Sequence, residues 1–153
     1  MLAPGTSLGG ARPKATIRDA DDRLLIAKFP KRDDDWPIPI WEAVLLQLAG
    51  EAGLDVPPWR LEDIAGKPVL LATRFDRRSD GSRIPFLSAM TALDAADHGP
   101  QRSYLEIVDA IRLMGLKPDA DIEALWQRIA FNILVSNTDD HLRNHAFLHD
   151  GGG

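Results

Sequence analysis

The chain contains no cysteine among its 153 residues, which excludes disulfide bridges and thiolate metal sites. It also lacks an apolar run near the ~20 residues of a membrane span, and it lacks a basic start followed by an apolar core. We therefore expect neither a transmembrane helix nor a signal peptide. There is no polybasic run, and the net charge is −5, so direct binding to nucleic acid is not expected. These absences leave a cytoplasmic globular protein as the expectation.

What is present has the composition of an ordinary folded domain, with 44% hydrophobic and 27% charged residues. Apolar runs broken by turn signals predict two β-hairpins at residues 14–29 and 59–75. Between them, one face of a helix predicted at residues ~38–52 carries Trp41, Val44, Leu45, Leu48 and Ala49. The second half shows helical periodicity near residues 104–113 and 122–133. The order predicts an α+β fold, in which a small antiparallel sheet with one helix precedes a helical lobe.

The segment after the last predicted helix carries the first candidate site. Asp139 stands five residues before Asn144, the spacing that a phosphoryl-transfer catalytic loop uses. In such a loop the aspartate orients the proton of the attacking hydroxyl, and the asparagine oxygen holds a metal ion. An ordinary turn is the alternative, because Asp and Asn form turns in many proteins.

A loop rich in small residues, residues 7–14, enters the first predicted strand. Its paired glycines, Gly9 and Gly10, would let backbone amides approach a phosphate that a Cβ atom would block. The loop matches neither of the common glycine-rich nucleotide motifs, so a frayed terminus is the alternative.

A lysine closes the next apolar strand. Lys28 lies where kinase-like folds place the strand lysine that contacts nucleotide phosphates, although many strand lysines are only solvated charges. Glu42, on the predicted helix, could orient Lys28 through an ion pair, or it could be a solvated glutamate.

Together these features resemble the HipA family of bacterial toxin kinases. Residues 131–148 are similar to the family's helix, catalytic loop and following strand almost letter for letter. Residues 7–14, Lys28 and residues 73–78 resemble the phosphate loop, the nucleotide lysine and the hinge. The resemblance implies a protein-kinase-like fold, with a nucleotide-binding lobe at residues 1–76 and a partial helical lobe at residues 77–153. It also implies an ATP- and Mg²⁺-dependent serine/threonine protein kinase of a toxin–antitoxin system.

The resemblance assigns roles to individual positions. It implies that Asp139 is the catalytic base, Asn144 the metal ligand and Lys28 the residue that grips the nucleotide phosphates. Hinge residues Thr73, Phe75 and Asp76 would lie at the nucleotide. The backbone amides of the phosphate loop would cover its phosphates: Ser7, Leu8, Gly9, Gly10 and Ala11.

Regulation and partners are also implied by the resemblance. In the family, a serine matching Ser7 is autophosphorylated, which switches the kinase off. The implied partners are a protein substrate, such as an aminoacyl-tRNA synthetase or another translation protein, and a DNA-binding antitoxin. Asp140 falls where the family tolerates several residues, so we expect it to be a loop residue. We expect His141 to brace the loop by hydrogen bonds.

The chain also departs from the family. Family members are longer, and their second metal-binding aspartate follows the catalytic loop further downstream. Asp150 comes too soon after Asn144 for that role, and residues 150–152 favour a hairpin turn. We therefore expect a truncated form: a fragment, a split-gene product or a degenerate copy.

Two other classes of function remain open. A non-catalytic, kinase-like module could bind nucleotide or an antitoxin without transferring phosphate. A metal-dependent hydrolase could use His141 and His145, whose i, i+4 spacing would direct both imidazoles to one metal if the segment were helical.

Overall fold

The structure, a computed structural model, describes residues 12–96 and 99–149. The chain forms two compact units, residues 1–83 and 84–153. The lobe boundary expected at residues 76–77 stays a prediction. The strands and helices, in chain order, are β1 Lys14–Arg18, β2 Leu24–Lys28, α1 Ile38–Glu51, β3 Trp59–Ile64, β4 Lys67–Thr73, β5 Phe86–Ser88, α2 Ala89–Ala92, α3 Tyr104–Met114, α4 Pro118–Leu134 and β6 Ala146–Leu148. This order confirms the predicted α+β fold.

The first unit is a four-stranded antiparallel sheet with strand order β1-β2-β4-β3. Its hairpins come from local turn chemistry. The turn between β3 and β4 places Ala65 and Gly66 at φ values of 54° and 77°, a two-residue turn that suits the twist of the strands. The Asp63 carboxylate accepts a hydrogen bond from the Gly66 amide at 2.8 Å and fastens this turn.

The core of the first unit lies along the two central strands. Leu25 and Ala27 of β2 pack with Val69 and Leu71 of β4, and all four are at most 2% exposed. Residues two apart in a strand point to the same face, so this spacing concentrates the apolar side chains on one side. Lys28 is thereby fixed at the end of a buried strand.

Helix α1 packs with its small residues inward. Pro39, Ala43 and Ala49 are buried, whereas Trp41 is 51% exposed and Leu48 is 44% exposed. Of the apolar face predicted from sequence, Ala49 is buried and Leu45 is half-buried, whereas Trp41, Val44 and Leu48 are exposed. Small side chains allow the backbone of α1 to approach the sheet closely.

The second unit is built around α3 and α4. Ile107, Ile111 and Leu125 form its core together with Ala89 of α2. Helix α3 starts with a capping box, in which Ser103 and Glu106 satisfy each other's backbone amides. The longest helix, α4, has 17 residues, and no helix in the described ranges is long and apolar enough to cross a membrane.

A short ribbon of β5 and β6 completes the second unit. Its register pairs Phe86 with Leu148 and Ser88 with Ala146. The Ala89 amide donates to the His145 carbonyl at 2.9 Å, so the start of α2 is tied to the chain that enters β6. This ribbon, which the sequence pattern did not predict in full, fixes the far end of the loop that carries Asp139.

Candidate active site

The candidate loop begins where α4 ends. Ser136 adopts a left-handed φ of 55°, and its amide donates to the Ile133 carbonyl at 3.1 Å. The Asn137 amide donates to the Asn132 carbonyl at 2.8 Å. These two bonds are a Schellman motif, which satisfies carbonyls at the end of a helix and turns the chain away. The loop therefore leaves α4 in a fixed direction.

The two residues singled out by spacing, Asp139 and Asn144, are in direct contact. The Asn144 side-chain Nδ2 donates to the Asp139 backbone carbonyl at 2.6 Å, and the Asn144 amide donates to the His141 carbonyl at 2.8 Å. A 3₁₀ turn at Leu142–Asn144 closes the loop. Because its Nδ2 is used inside the loop, the Asn144 Oδ1 is the atom that can ligate a cation.

The Asp139 side chain is directed to solvent. It is 91% exposed, and the Nε2 atom of the His141 imidazole lies 3.9 Å from its Oδ1. The Asp139 amide donates to the Asn137 side-chain oxygen at 3.2 Å, which restrains the backbone. The structure thus presents an exposed carboxylate on a restrained backbone.

The neighbouring Asp140 is the opposite case, with a side chain only 8% exposed. Its Oδ2 accepts hydrogen bonds from the Tyr104 hydroxyl at 2.7 Å and from Asn132 Nδ2 at 2.9 Å. The hydrogen bond to Asp140, helped by burial, raises the pKa of Tyr104 to about 12. We expected Asp140 to be a loop residue rather than a catalyst; it lies in the loop, and its side chain is at the centre of a polar cluster.

His145 completes this cluster. It is 8% exposed, and its Nε2 lies 3.0 Å from Asp140 Oδ1, although the N–H is not aligned with that oxygen for a hydrogen bond. Its ring meets Tyr104 edge to face, with centroids 5.8 Å apart. The His141 side chain is 52% exposed, and the hydrogen bonds by which we expected it to brace the loop stay a prediction.

The same geometry bears on the hydrolase alternative. The chain around His141 and His145 is a loop, a 3₁₀ turn and a strand, so the two imidazoles do not share a helical face. The described residues contain no group of three or more His, Cys, Asp or Glu side chains that could hold a metal ion. The geometry that the hydrolase interpretation required is therefore not formed.

In the first unit, Lys28 and Glu42 form an ion pair. Lys28 is the last residue of β2, and its Nζ donates to Glu42 Oε1 on α1. Both side chains are about one-third exposed, so the pair lies at the surface of the unit and remains accessible. Of the two alternatives for Glu42, the ion pair is the one that the structure contains.

The predicted hinge is fastened by Asp76, which is 6% exposed. Arg74 donates to both Asp76 carboxylate oxygens at 2.7 Å, and Arg77 donates to one of them at 2.6 Å. The bond from Arg74 is the main reason that the pKa of Asp76 is lowered. The Thr73 amide donates to the Pro58 carbonyl at 2.9 Å. The nucleotide contacts expected of Thr73, Phe75 and Asp76 stay predictions.

The predicted phosphate loop falls largely outside the described residues. This holds for Ser7, Leu8, Gly9, Gly10 and Ala11, whose roles stay predictions, and also for the turn expected at residues 150–152. The described chain begins at Arg12, whose guanidinium pairs with Asp34 at 2.7 Å. Asp34 also accepts the Lys31 amide at 2.8 Å.

Sequence reasoning missed two residues of the polar cluster, Tyr104 and Asn132, and it considered His145 only as a possible metal ligand. Asn132 did offer a signal, because it interrupts an apolar helical segment, and a polar side chain within such a segment is usually hydrogen-bonded. Tyr104 offered no local signal, since it lies 36 residues before its partner Asp140.

Comparison with known proteins places this arrangement in a family. The family model described as the HipA-like C-terminal domain matches residues 6–153. Among curated relatives, the putative kinase Y4mE of Sinorhizobium fredii is 28% identical over 139 residues, which cover 84% of this chain and 31% of that protein.

Two solved structures share the fold. The Helicobacter pylori proinflammatory kinase CtkA gives a TM-score of 0.77 at 19% identity, covering 100% of this chain and 53% of that one. A chain from the Shewanella oneidensis complex of HipA, HipB and operator DNA gives 0.70 at 23% identity, covering 95% and 41%. This chain therefore spans about a third of its curated relative and about half or less of these structures. Because the family model matches nearly every residue, the chain belongs to the HipA-like C-terminal domain family.

Proposed function

We propose that this chain is the catalytic part of an ATP- and Mg²⁺-dependent serine/threonine protein kinase of the HipA toxin type. The observation that carries the proposal is the ion pair between Lys28 and Glu42. Protein kinases require a strand lysine that contacts the nucleotide phosphates and is held by a helix glutamate. A solvated strand lysine would not need a glutamate from the following helix.

The loop of the second unit supports the same proposal. Asp139 offers an exposed carboxylate on a restrained backbone, and Asn144 offers an amide oxygen. Mg²⁺ prefers such oxygen ligands and usually retains water and substrate phosphates, so a single protein amide fits a shared metal site. ATP and Mg²⁺, when bound, supply the transferred phosphoryl group and the charge that neutralises it.

Each residue then has one task. Asp139 accepts or orients the proton of the substrate hydroxyl, which makes the oxygen a better nucleophile. Lys28, oriented by Glu42, holds the phosphates, and the amides of residues 7–11 cover them. A phosphate on Ser7 would add about −1.5 to −2 charges where the nucleotide phosphates bind, and would switch the enzyme off.

The partners follow from the family. The Shewanella structure contains HipA, HipB and operator DNA, so we propose a DNA-binding antitoxin as the partner of this protein. We propose that it acts in the cytoplasm on a protein substrate, for example an aminoacyl-tRNA synthetase or another translation protein.

The first experiment separates binding from transfer. ATP affinity is measured by calorimetry with Mg²⁺, and phosphate transfer is measured with radiolabelled ATP in a protein that spans the length of the curated relatives. Asp139→Asn keeps the side-chain shape but removes the charge, so transfer should fall by about 100-fold or more while the ATP Kd stays within about twofold. Lys28→Ala should weaken ATP binding by about tenfold, because it deletes a charge at the phosphates.

Matched controls make the result specific. Lys67→Ala removes an exposed strand lysine, and Asp109→Asn neutralises an exposed aspartate of α3; both should behave as the parent. Transfer by Asp139→Asn within a few-fold of the parent would remove Asp139 from the role. Binding of ATP with no transfer by the parent would instead favour the non-catalytic module.

A further inference from the structure

We propose that Asp140 is a positioning residue, which holds the catalytic loop in the shape that presents Asp139 and Asn144 for phosphoryl transfer. The inference rests on the proposed function, since it assigns a task within that reaction. It starts from the contrast between two adjacent aspartates: the side chain of Asp139 is 91% exposed and that of Asp140 is 8% exposed. The loop therefore exposes the Asp139 carboxylate to solvent while it holds the Asp140 carboxylate inside the second unit.

The Asp140 carboxylate joins three separate parts of the second unit. Tyr104 is the first residue of α3, Asn132 lies in the last turn of α4, and His145 directly precedes β6. All three approach the same carboxylate, at 2.7, 2.9 and 3.0 Å. The loop is therefore held on its inner side by a group that contacts the elements before and after it.

The two oxygens of the Asp140 carboxylate face different partners. One oxygen, Oδ2, accepts from both Tyr104 and Asn132. An asparagine would keep both bonds only with its oxygen at the Oδ2 position, and its NH₂ group would then replace Oδ1 beside His145 Nε2; in the opposite orientation the NH₂ group would face the two donors. An apolar side chain of similar size would leave both donors without their partner, which is unfavourable in a buried site.

The position of Asp140 is transmitted to the metal ligand through one hydrogen bond. Asn144 Nδ2 donates to the Asp139 carbonyl, which belongs to the peptide bond between Asp139 and Asp140. A shift of the Asp140 backbone would move this carbonyl and, with it, the Asn144 side chain. Both residues that the reaction uses would then be displaced together.

The test compares Asp140→Asn with a double variant in which the hydrogen-bond donor and acceptor at positions 132 and 140 are exchanged. In the full-length protein, Asp140→Asn should lower kcat by about 100-fold, the effect expected of a misplaced catalytic group, and leave the ATP KM within about twofold. Adding Asn132→Asp puts the carboxylate at position 132 and the amide at position 140, so the hydrogen bond between the two positions can form again in the opposite direction. The kcat of the double variant should therefore be at least tenfold higher than that of Asp140→Asn. Asp109→Asn, the same change on the exposed face of α3, should leave kcat unchanged.

A second readout does not depend on activity. Amide hydrogen exchange by mass spectrometry, on this chain itself, should be at least tenfold faster in residues 137–144 of Asp140→Asn than in the parent, with α1 unchanged. The double variant should return the loop toward the parent rate. Tyr104→Phe, which deletes one hydroxyl, should accelerate exchange in the same residues by a smaller factor and serves if Asp140→Asn does not fold.

The outcomes separate the two proposals. A parent that transfers no phosphate contradicts the proposed function. In that case the rate of amide hydrogen exchange in residues 137–144 is the measurement that tests whether Asp140 positions the loop. If exchange in residues 137–144 is unchanged in both Asp140→Asn and Tyr104→Phe, Asp140 does not position the loop. An active parent with kcat within twofold in Asp140→Asn overturns the inference as well, as does a double variant that recovers nothing while folding normally.

Discussion

At the scale of the residue, burial decides what each ionisable group can do. Asp139 and Asp140 are chemically identical, yet one side chain is free for a proton transfer and the other is committed to hydrogen bonds. Lys28 and Glu42 are an intermediate case, since their ion pair lies at the surface. Such exposed pairs contribute little to stability, which favours a role in orientation over a role in folding.

Tyr104 is the single tyrosine of the chain, so a titration of tyrosine absorbance reports on its contact with Asp140. Its hydrogen bond to the Asp140 carboxylate raises the pKa of its phenol to about 12, from 10. The neutral phenol is favoured in the folded state, so its contribution to stability is complete below pH 10 and is lost as the pH rises through about 12. The tyrosinate absorbance near 295 nm should therefore rise with a midpoint above 10.

The control for this titration is the removal of the acceptor. In Asp140→Asn the midpoint should move down toward 10, whereas Asp109→Asn should keep the parent value. A parent midpoint at 10, with the far-UV circular dichroism still native, would show that the hydroxyl of Tyr104 does not contact a carboxylate.

Asp76 should make stability depend on acid pH. Its pKa is lowered by the hydrogen bond from Arg74, so its contribution to stability is present above the ordinary aspartate pKa of 3.8 and is lost as the pH falls through the folded-state pKa. Asp76→Asn should lower the free energy of unfolding at pH 7 by about 2–4 kcal/mol, because two arginines lose a buried partner. Urea denaturation at pH 7 and at pH 3 measures this, and the two proteins should differ less at pH 3.

If the free energies of unfolding of the parent and of Asp76→Asn differ equally at pH 7 and at pH 3, the lost stability comes from packing rather than from the charge of Asp76. Asp80→Asn is a suitable comparison. That carboxylate is also held below its usual pKa, by hydrogen bonds from Ser82, but it lies on the surface.

At the scale of the element, the sequence predicted the features that depend on neighbouring residues. The hairpins follow from turns such as Ala65-Gly66, and the spacing of Asp139 and Asn144 lies within one short loop. The β5–β6 ribbon was harder to predict, because each strand has three residues and their partners lie about 60 positions apart. The role of Asp140 was missed for the same reason, since its partner Tyr104 is distant in sequence.

Helix α1 shows a second limit. Its residues at helical spacing correctly predicted a helix, but spacing does not tell which face is buried. Ala43 and Ala49 pack inward because small side chains permit a close approach to the sheet, and the larger Trp41 and Leu48 remain more exposed. Hydrophobicity alone would have favoured burial of Trp41 and Leu48 together with Ala49.

The end of α4 offers a prediction on this scale. Ser136 holds a left-handed φ of 55°, a conformation that costs a residue with a Cβ atom about 1 kcal/mol. Ser136→Gly should raise the free energy of unfolding by about 0.5–1 kcal/mol, as glycine is the usual residue of a Schellman motif. Ser136→Ala keeps the Cβ atom and should give no gain. Thermal and urea denaturation measure both, and equal stability of the two variants would contradict the strain at this position.

At the scale of the whole chain, charge limits the kind of partner that can bind directly. The net charge is −5 and the isoelectric point is about 5.3. Non-specific DNA binding depends on cationic side chains that displace counterions from the phosphates, and a net negative protein is repelled instead. The contact with operator DNA that we propose for the complete system would then belong to the antitoxin.

The last prediction follows from this balance of charge. The chain alone should show no binding to a labelled DNA duplex of about 20 base pairs at 50–200 mM salt, up to a protein concentration of about 100 μM. Fluorescence anisotropy measures this directly. An affinity that falls steeply and linearly with salt on a logarithmic scale would reveal a local cationic surface that the net charge conceals. An affinity that differs between operator and scrambled duplexes would show that the chain itself reads DNA sequence, and would contradict the assignment of that task to a separate antitoxin.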